Sequence, residues 1–191
     1  MSTGTGTGTV TVVVLAGGRS TRFGADKLAA SLGGGTVLDH LLQALPAHWS
    51  VVAVGGRRDT ARPVTWARER PAGAGPLAAV LTGAGAAGTD LLAVVAGDMP
   101  HAAPALVDLV AALDGAAPDV AAVVAVDDEG VPNPLLAAYR TPALLAAAPE
   151  DPAGVPARRL LGLPHRRVAV TGRAGRDVDT PADLAALDDD A

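Results

Sequence analysis

The stretch of this chain best equipped for chemistry runs Leu15-Ala16-Gly17-Gly18-Arg19-Ser20-Thr21-Arg22-Phe23-Gly24-Ala25-Asp26-Lys27. Gly17 and Gly18 let the main chain approach a ligand closely, and successive amides in such a turn form a concave donor surface for phosphate oxygens. Arg22 and Lys27 add positive charge of two kinds, a planar fork and a compact point charge, as a triphosphate requires. The stretch lacks the Gly-Lys-Ser/Thr ending of a P-loop and the three spaced glycines of a dinucleotide fold. On residue chemistry alone it is an anion-binding loop or a glycine turn with surface arginines, and both readings stand. A second candidate is Gly97-Asp98-Met99-Pro100. A carboxylate beside a rigid turn suits Mg²⁺, which is usually held by one or two carboxylates while phosphates and water complete its shell. Asp98 is equally placed to cap a helix that follows Pro100. Asp179, ahead of Thr180-Pro181, offers the same choice between ligand and helix start, and Asp26 either orients Lys27, caps a turn or binds a ligand directly. His40, His48, His101 and His165 have no metal-ligand spacing among them and read as structural or surface residues.

Composition narrows the classes. The 191 residues include no Cys, so a disulfide scaffold is excluded. The 15 basic and 20 acidic residues give a net charge of −5, with no basic run to serve as a footprint for nucleic acid. No apolar stretch reaches the roughly 18–20 residues of a membrane span. The Thr/Gly head lacks a cationic flank, so no signal peptide is expected and the expected location is cytoplasmic. Arg outnumbers Lys 14 to 1 and Asp outnumbers Glu 17 to 3. Against that drift the single Lys27 and the single Phe23 stand out, both in the first stretch.

These residues need a frame. Val10 to Leu15 is a β-branched run that reads as a strand buried on both faces, as in parallel sheets. Thr36 and Asp39 predict a helix start and Pro46 its end. Further strands are expected at Ser50–Val54, Val64–Trp66, Leu91–Ala96, Val120–Val126, Leu135–Tyr139 and Arg167–Val170. Further helices are expected from Pro76 through Ala84, along Leu106, Val107, Leu109, Val110 and Leu113, briefly near Ala157–Leu161, and from Thr180 to Leu187. Strands alternating with helices of about ten residues predict an α/β fold, with a mainly parallel sheet between helical layers. Ligands bind at the carboxyl ends of such strands, here the loops after Leu15, Val54 and Ala96. One domain is expected over 1–191, with flexible ends at 1–8 and 188–191.

Gly-Gly-x-x-x-Arg-Phe-Gly-x-Asp-Lys, from Gly17 to Lys27, resembles the signature of the nucleotidyltransferases that build nucleotide-linked cofactors and sugars. Within them it most resembles the MobA-type molybdenum cofactor guanylyltransferases. Four further segments resemble that family's motifs in order: Glu69 followed by Gly75-Pro76-Leu77, Asp98-Met99-Pro100, Asn133-Pro134-Leu135, and the closing Asp177-Val178-Asp179-Thr180-Pro181. Together they span about Val10 to Leu187. The resemblance implies a three-layer Rossmann-like nucleotidyltransferase fold and transfer of GMP from GTP to the terminal phosphate of molybdopterin, with pyrophosphate leaving. It implies that Gly17, Gly18, Arg22 and Lys27 hold the triphosphate, with Lys27 nearest the α-phosphate, and that Leu15-Ala16-Gly17-Gly18 is the guanylyl form of the loop. Gly75, Pro76 and Leu77 would line the base and ribose pocket, Leu15, Ala16 and Glu69 would count with them among the nucleotide-binding residues, and Asp98 would bind Mg²⁺ with Asp179 as a second ligand. Arg22, Lys27 and Asp98 would be the catalytic groups. A phosphate monoester has its second pKa at about 6, so the acceptor needs no strong base. By resemblance, too, proteins that deliver or collect such a cofactor would make transient contacts with this one. Three departures bear on the substrates. Gly55 and Gly56 stand where the family often has Asn, Asp177 and Asp179 replace two Asn, and Asn133 stands where His is usual. They keep open a cytidylyltransferase on the same pterin, or a transferase to another small phosphorylated acceptor. A nucleotide-binding module without turnover is the reading from another class.

Overall fold

A computed structural model describes residues 9–18 and 23–188. Arg22, the head at 1–8 and the tail at 189–191 lie outside the described residues, whereas Asp188 belongs to the last helix. β1 (Val10–Ala16) leads to a small hairpin, β2 (Ser31–Leu32) with β3 (Gly35–Thr36), and then to α1 (Val37–Ala44). β4 (Ser50–Gly55), β5 (Thr65–Ala67), α2 (Pro76–Ala87), β6 (Leu91–Ala96) and α3 (Ala103–Asp114) follow. The chain continues through β7 (Ala122–Val126), β8 (Pro132–Arg140), α4 (Thr141–Ala146), β9 (His165–Ala169) and α5 (Pro181–Asp188).

Seven strands form one sheet in the order β5-β4-β1-β6-β8-β7-β9. β1 is the third strand in that order and has parallel neighbours on both sides. Its residues alternate between two apolar layers: Val12 and Val14 join Leu38, Leu41, Leu106 and Leu109, while Val13 joins Leu77, Val80 and Ala84. That alternation is why a run of consecutive apolar residues was needed, since both faces are covered by helices. The sheet is mainly parallel, as expected, with one exception. β8 runs antiparallel to both β6 and β7, because the turn after β7 folds the chain straight back as a hairpin strand. α3 also corrects the expected stripe. Val107 is 40 % exposed, because at about 100° per residue it falls outside the arc of the helix that Leu106, Leu109, Val110 and Leu113 share.

Local signals start the helices and distant ones finish them. Thr36 Oγ1 accepts from the Asp39 amide at 3.0 Å and donates to Asp39 Oδ2 at 2.9 Å, so the pair closes through the hydroxyl. At the other end of α1, the Arg62 guanidinium donates to the carbonyls of Leu42, Leu45, Pro46 and Trp49. Arg140 does the same beyond α3, donating to Leu113, Ala116 and Val120 carbonyls. Such cations satisfy the last carbonyls and the negative end of the helix dipole. Among the described residues no helix is long and apolar enough to cross a membrane.

Candidate functional site

The register of the sheet assembles the site. Leu15 pairs with Val54 on one side and with Ala96 on the other, so β1, β4 and β6 end at one level. The chain moves to one side of β1 for β4 and to the other for β6, which opens a crevice at the carboxyl ends of the strands. A cavity of about 780 Å³ fills that crevice, within the range of small-molecule sites. The loops after Leu15, Val54 and Ala96 all contribute to its walls.

Most of the expected nucleotide residues meet there. Leu15, Ala16, Gly17, Gly18, Lys27, Glu69, Gly75, Pro76 and Asp98 all line the cavity. Gly75 (φ +102°) turns the chain into α2, whose N-terminus has no side-chain cap, so its positive dipole end borders the cavity. Glu69 Oε1 accepts from the Gly73 amide at 2.9 Å, while Oε2 is buried with no hydrogen-bond partner. Leu77 is the correction. It is 1 % exposed and packs in the apolar layer with Val13 and Val80, because it lies one residue past Pro76 on the sheet-facing side of α2. Asn133 is turned to its own strand, accepting from the Leu135 amide at 2.9 Å, and Leu135 rather than Asn133 lines the cavity.

At one side of the cavity stands an ionic cluster. Lys27 Nζ lies 2.5 Å from Asp98 Oδ2 and 3.0 Å from Asp179 Oδ1. Burial by itself would lower the Lys27 pKa. The hydrogen bonds and charges of Asp98 and Asp179 outweigh it and hold the ammonium above its usual value. Carboxylate oxygens of Asp98, Asp177 and Asp179 lie within 4.8 Å of one another. Partial desolvation and the charges of Asp98 and Asp179 push the Asp177 carboxyl up. The Asp-Val-Asp order explains the convergence. Val178 is fully buried among Leu32, Val37 and Leu187, and its amide donates to the Asp98 carbonyl at 2.9 Å. With Val178 turned inward, the residues on either side of it are presented together on the Asp98 side. Thr180 also starts α5, its Oγ1 accepting from the Asp183 amide at 3.2 Å, so helix start and acidic cluster are built from one motif.

This donor set fits Mg²⁺. All three groups offer hard oxygens, and Asp98 Oδ1 is buried with no hydrogen-bond partner, a cost of about 1–3 kcal/mol that a cation would remove.

Asp177, which like Asp179 replaces an Asn of the closing motif and could thereby strengthen metal binding, joins the cluster. One residue of the site escaped the sequence reading. Arg58 follows the Gly55-Gly56 pair, and its guanidinium joins three segments. Nε and Nη2 donate to Asp26 Oδ2 and Oδ1 at 2.8 and 3.1 Å, and Nη1 donates to the carbonyls of Ala16 at 2.8 Å and Gly56 at 2.9 Å. Asp26 in turn accepts from the Leu28 amide at 3.2 Å and starts the short 3₁₀ turn Lys27–Ala29. Asp26 thus orients Lys27 by fixing the turn that carries it. The signal was there: the only Lys is preceded by a carboxylate, and an arginine pair ends the second site loop.

A parallel-centred α/β sheet with a pair of glycines, a lysine and a carboxylate cluster at its carboxyl edge defines a Rossmann-like domain of the kind nucleotidyltransferases use. Residues 12–169 match the model of the MobA-like NTP transferase domain, and the chain belongs to that family. It is 33% identical over 180 residues to a probable molybdenum cofactor guanylyltransferase of Deinococcus radiodurans, covering 91% of each chain. It is 41% identical over 111 residues to the molybdenum cofactor guanylyltransferase of Mesorhizobium japonicum, covering 52% of this chain, and that match spans about half (53%) of the relative's length. The fold is also that of molybdopterin-guanine dinucleotide biosynthesis protein A from Archaeoglobus fulgidus, with a TM-score of 0.71 at 23% identity, covering 94% of this chain and 97% of the other.

Proposed function

We propose that this chain is a Mg²⁺-dependent nucleotidyltransferase that moves GMP from GTP to the terminal phosphate of molybdopterin. The observation that carries this reading is Lys27 held between Asp98 and Asp179 at the edge of a cavity floored by Gly17 and Gly18. An oxygen of the acceptor phosphate attacks the α-phosphorus, the bond from that phosphorus to the bridging oxygen breaks, and pyrophosphate leaves with the electron pair. The barrier is one of charge and alignment rather than of proton transfer. The Gly17 and Gly18 amides and the α2 N-terminus receive the phosphates, with Arg22 assigned the same task by the motif alone. Lys27, kept charged beside Asp98 and Asp179, would neutralise charge at the α-phosphate. Asp98, with Asp179 and Asp177, would hold Mg²⁺, which supplies Lewis-acid stabilisation of the phosphate oxygens.

The choice of base rests on Glu69. Guanine presents two neighbouring donors, N1–H and the N2 amino group, to a carboxylate, whereas cytosine presents only one amino group on that edge. Guanine's two donors would fill the unpartnered Glu69 Oε2 and the second acceptor position of Oε1, where cytosine's one amino group would fill only the first.

Thermal midpoints of the purified chain with GTP, CTP, ATP and UTP, each with and without Mg²⁺, test the proposal. A ligand at 100 times its Kd adds about 2.7 kcal/mol. A shift that is largest for GTP and grows with Mg²⁺ is expected, followed by pyrophosphate release when molybdopterin is added. A larger shift with CTP would overturn the guanylyl assignment, and binding without turnover on molybdopterin would overturn the acceptor.

A further inference from the structure

The loop after β1, the loop after β4 and the turn that carries Lys27 meet at one guanidinium. Arg58 lines the nucleotide cavity with its side chain only 22 % exposed. Of the five N–H groups that a guanidinium carries, four are committed. Nε and Nη2 donate to the two oxygens of Asp26, and Nη1 donates to the carbonyls of Ala16 and Gly56. The Asp26 carboxylate also meets its charge, at 2.8 Å, so little of this fork is left for a phosphate. Its bonds instead fix groups that a phosphate would meet. The Ala16–Gly17 peptide is trans, so the Ala16 carbonyl and the Gly17 N–H point in opposite directions. Holding that carbonyl beside the loop after β4 therefore turns the Gly17 amide the other way. Asp26 and Lys27 are consecutive, and they are held from opposite sides of β1. Arg58, which follows β4, holds Asp26, and Asp98, which follows β6, holds Lys27. Asp26 passes this grip to the 3₁₀ turn Lys27–Ala29 by accepting from the Leu28 amide.

We infer that Arg58 is a positioning residue for phosphate transfer: it sets the direction of the Gly17 amide and the place of Lys27 and is not itself a phosphate ligand. This rests on the reading of the cavity as a nucleotide site. A lysine could not replace it, because three donors on one nitrogen cannot reproduce a planar fork that spans a carboxylate and two carbonyls.

Inorganic tripolyphosphate with Mg²⁺ probes the phosphate site of the full chain apart from base and acceptor. Calorimetric titration is expected to show saturable binding by the wild type. Arg58→Ala and Arg58→Lys both weaken it about tenfold, the scale of one charge-assisted hydrogen bond, although the second keeps the charge. Methylguanidinium restores most of what Arg58→Ala loses, and methylammonium does not. Asp26→Asn, which leaves Arg58 in place, also weakens binding and covers the case of an Arg58 variant that does not fold. Arg58→Lys combined with Asp26→Asn is no weaker than the worse single variant, because the two residues act as one unit. Each Kd is read below the unfolding midpoint of its variant, so lost stability alone leaves it unchanged. Wild-type affinity in Arg58→Lys, or rescue by methylammonium, overturns the inference and makes Arg58 a simple cation. Tripolyphosphate binding that every Arg58 variant keeps overturns this inference alone, whereas a wild type that does not bind it overturns the nucleotide reading and this inference together.

Discussion

Gly55 ends β4 directly against the glycine loop, and a single methyl group there is the sharpest probe of how the site is held. A Cβ on Gly55 would stand 2.5 Å from the Ala16 carbonyl oxygen, 2.6 Å from its carbon and 2.8 Å from the Gly17 nitrogen, at φ +151°. All three are main-chain atoms, so no side chain can swing away. Ordinary contact begins near 3.4 Å, so the ends of β1 and β4 must part by roughly 0.9 Å. Overpacking of this kind costs about 1–3 kcal/mol, and the strained φ adds about 1–3 kcal/mol. At about 2–4 °C per kcal/mol for a chain of this length, the combined cost of about 2–6 kcal/mol is expected to lower the Tm of Gly55→Ala by roughly 4–24 °C. Ala16 and Gly17 are cavity walls, so the stabilisation conferred by added GTP falls as well. Gly56→Ala is the matched control, because nothing lies within 4 Å of its Cβ and its Tm should hardly move. Urea and thermal unfolding of the pair, each with and without GTP, give the answer. A Gly55→Ala protein that melts with wild type would refute the reasoning, because the close approach of β1 and β4 would then not be what shapes the loop.

Three other outcomes are expected. Asp98→Asn removes the closest partner of Lys27 and the buried oxygen assigned to the cation, so pyrophosphate release falls by about 10²-fold or more while circular dichroism is unchanged; undiminished release would take Asp98 out of the site. The Arg58 hydrogen bonds hold the Asp26 carboxyl below its ordinary 3.8, so this pair's contribution to stability is complete above that value and is lost as pH falls through the depressed pKa. Urea midpoints measured down the acid limb should therefore fall more steeply for wild type than for Asp26→Asn, and identical slopes would show that the clamp contributes nothing. Leu77→Ala should cost about 2–5 kcal/mol as a core deletion yet leave base preference untouched, and an altered preference would return Leu77 to the nucleotide wall.

Where a signal is local, the sequence reading and the structure agree closely. The buried run at Val10–Ala16, the strand at Leu91–Ala96, the Thr36 start of α1 and Pro76 at the first position of α2 follow from periodicity and capping, whose range is a few residues. The hairpin Ser31–Thr36 and α4 were not read, because two-residue strands and a six-residue helix carry too few residues to show a period. Leu77 was misplaced for another reason: a motif names neighbours in sequence, while the rotation of a helix decides which neighbour faces the ligand and which the core.

From residue types and spacing alone came the glycine loop with its lysine, the carboxylate at a strand end and the sheet edge where both would lie. Tertiary structure alone decided the partners. Lys27 meets Asp179 across 152 residues, Arg58 meets Asp26 across 32, and a single hydrogen bond from the Val178 amide to the Asp98 carbonyl brings in the two carboxylates that flank Val178. No local pattern encodes these meetings. They depend on the common register of β1, β4 and β6 and on where a buried Val178 anchors the chain, and both are settled only when the two apolar layers pack.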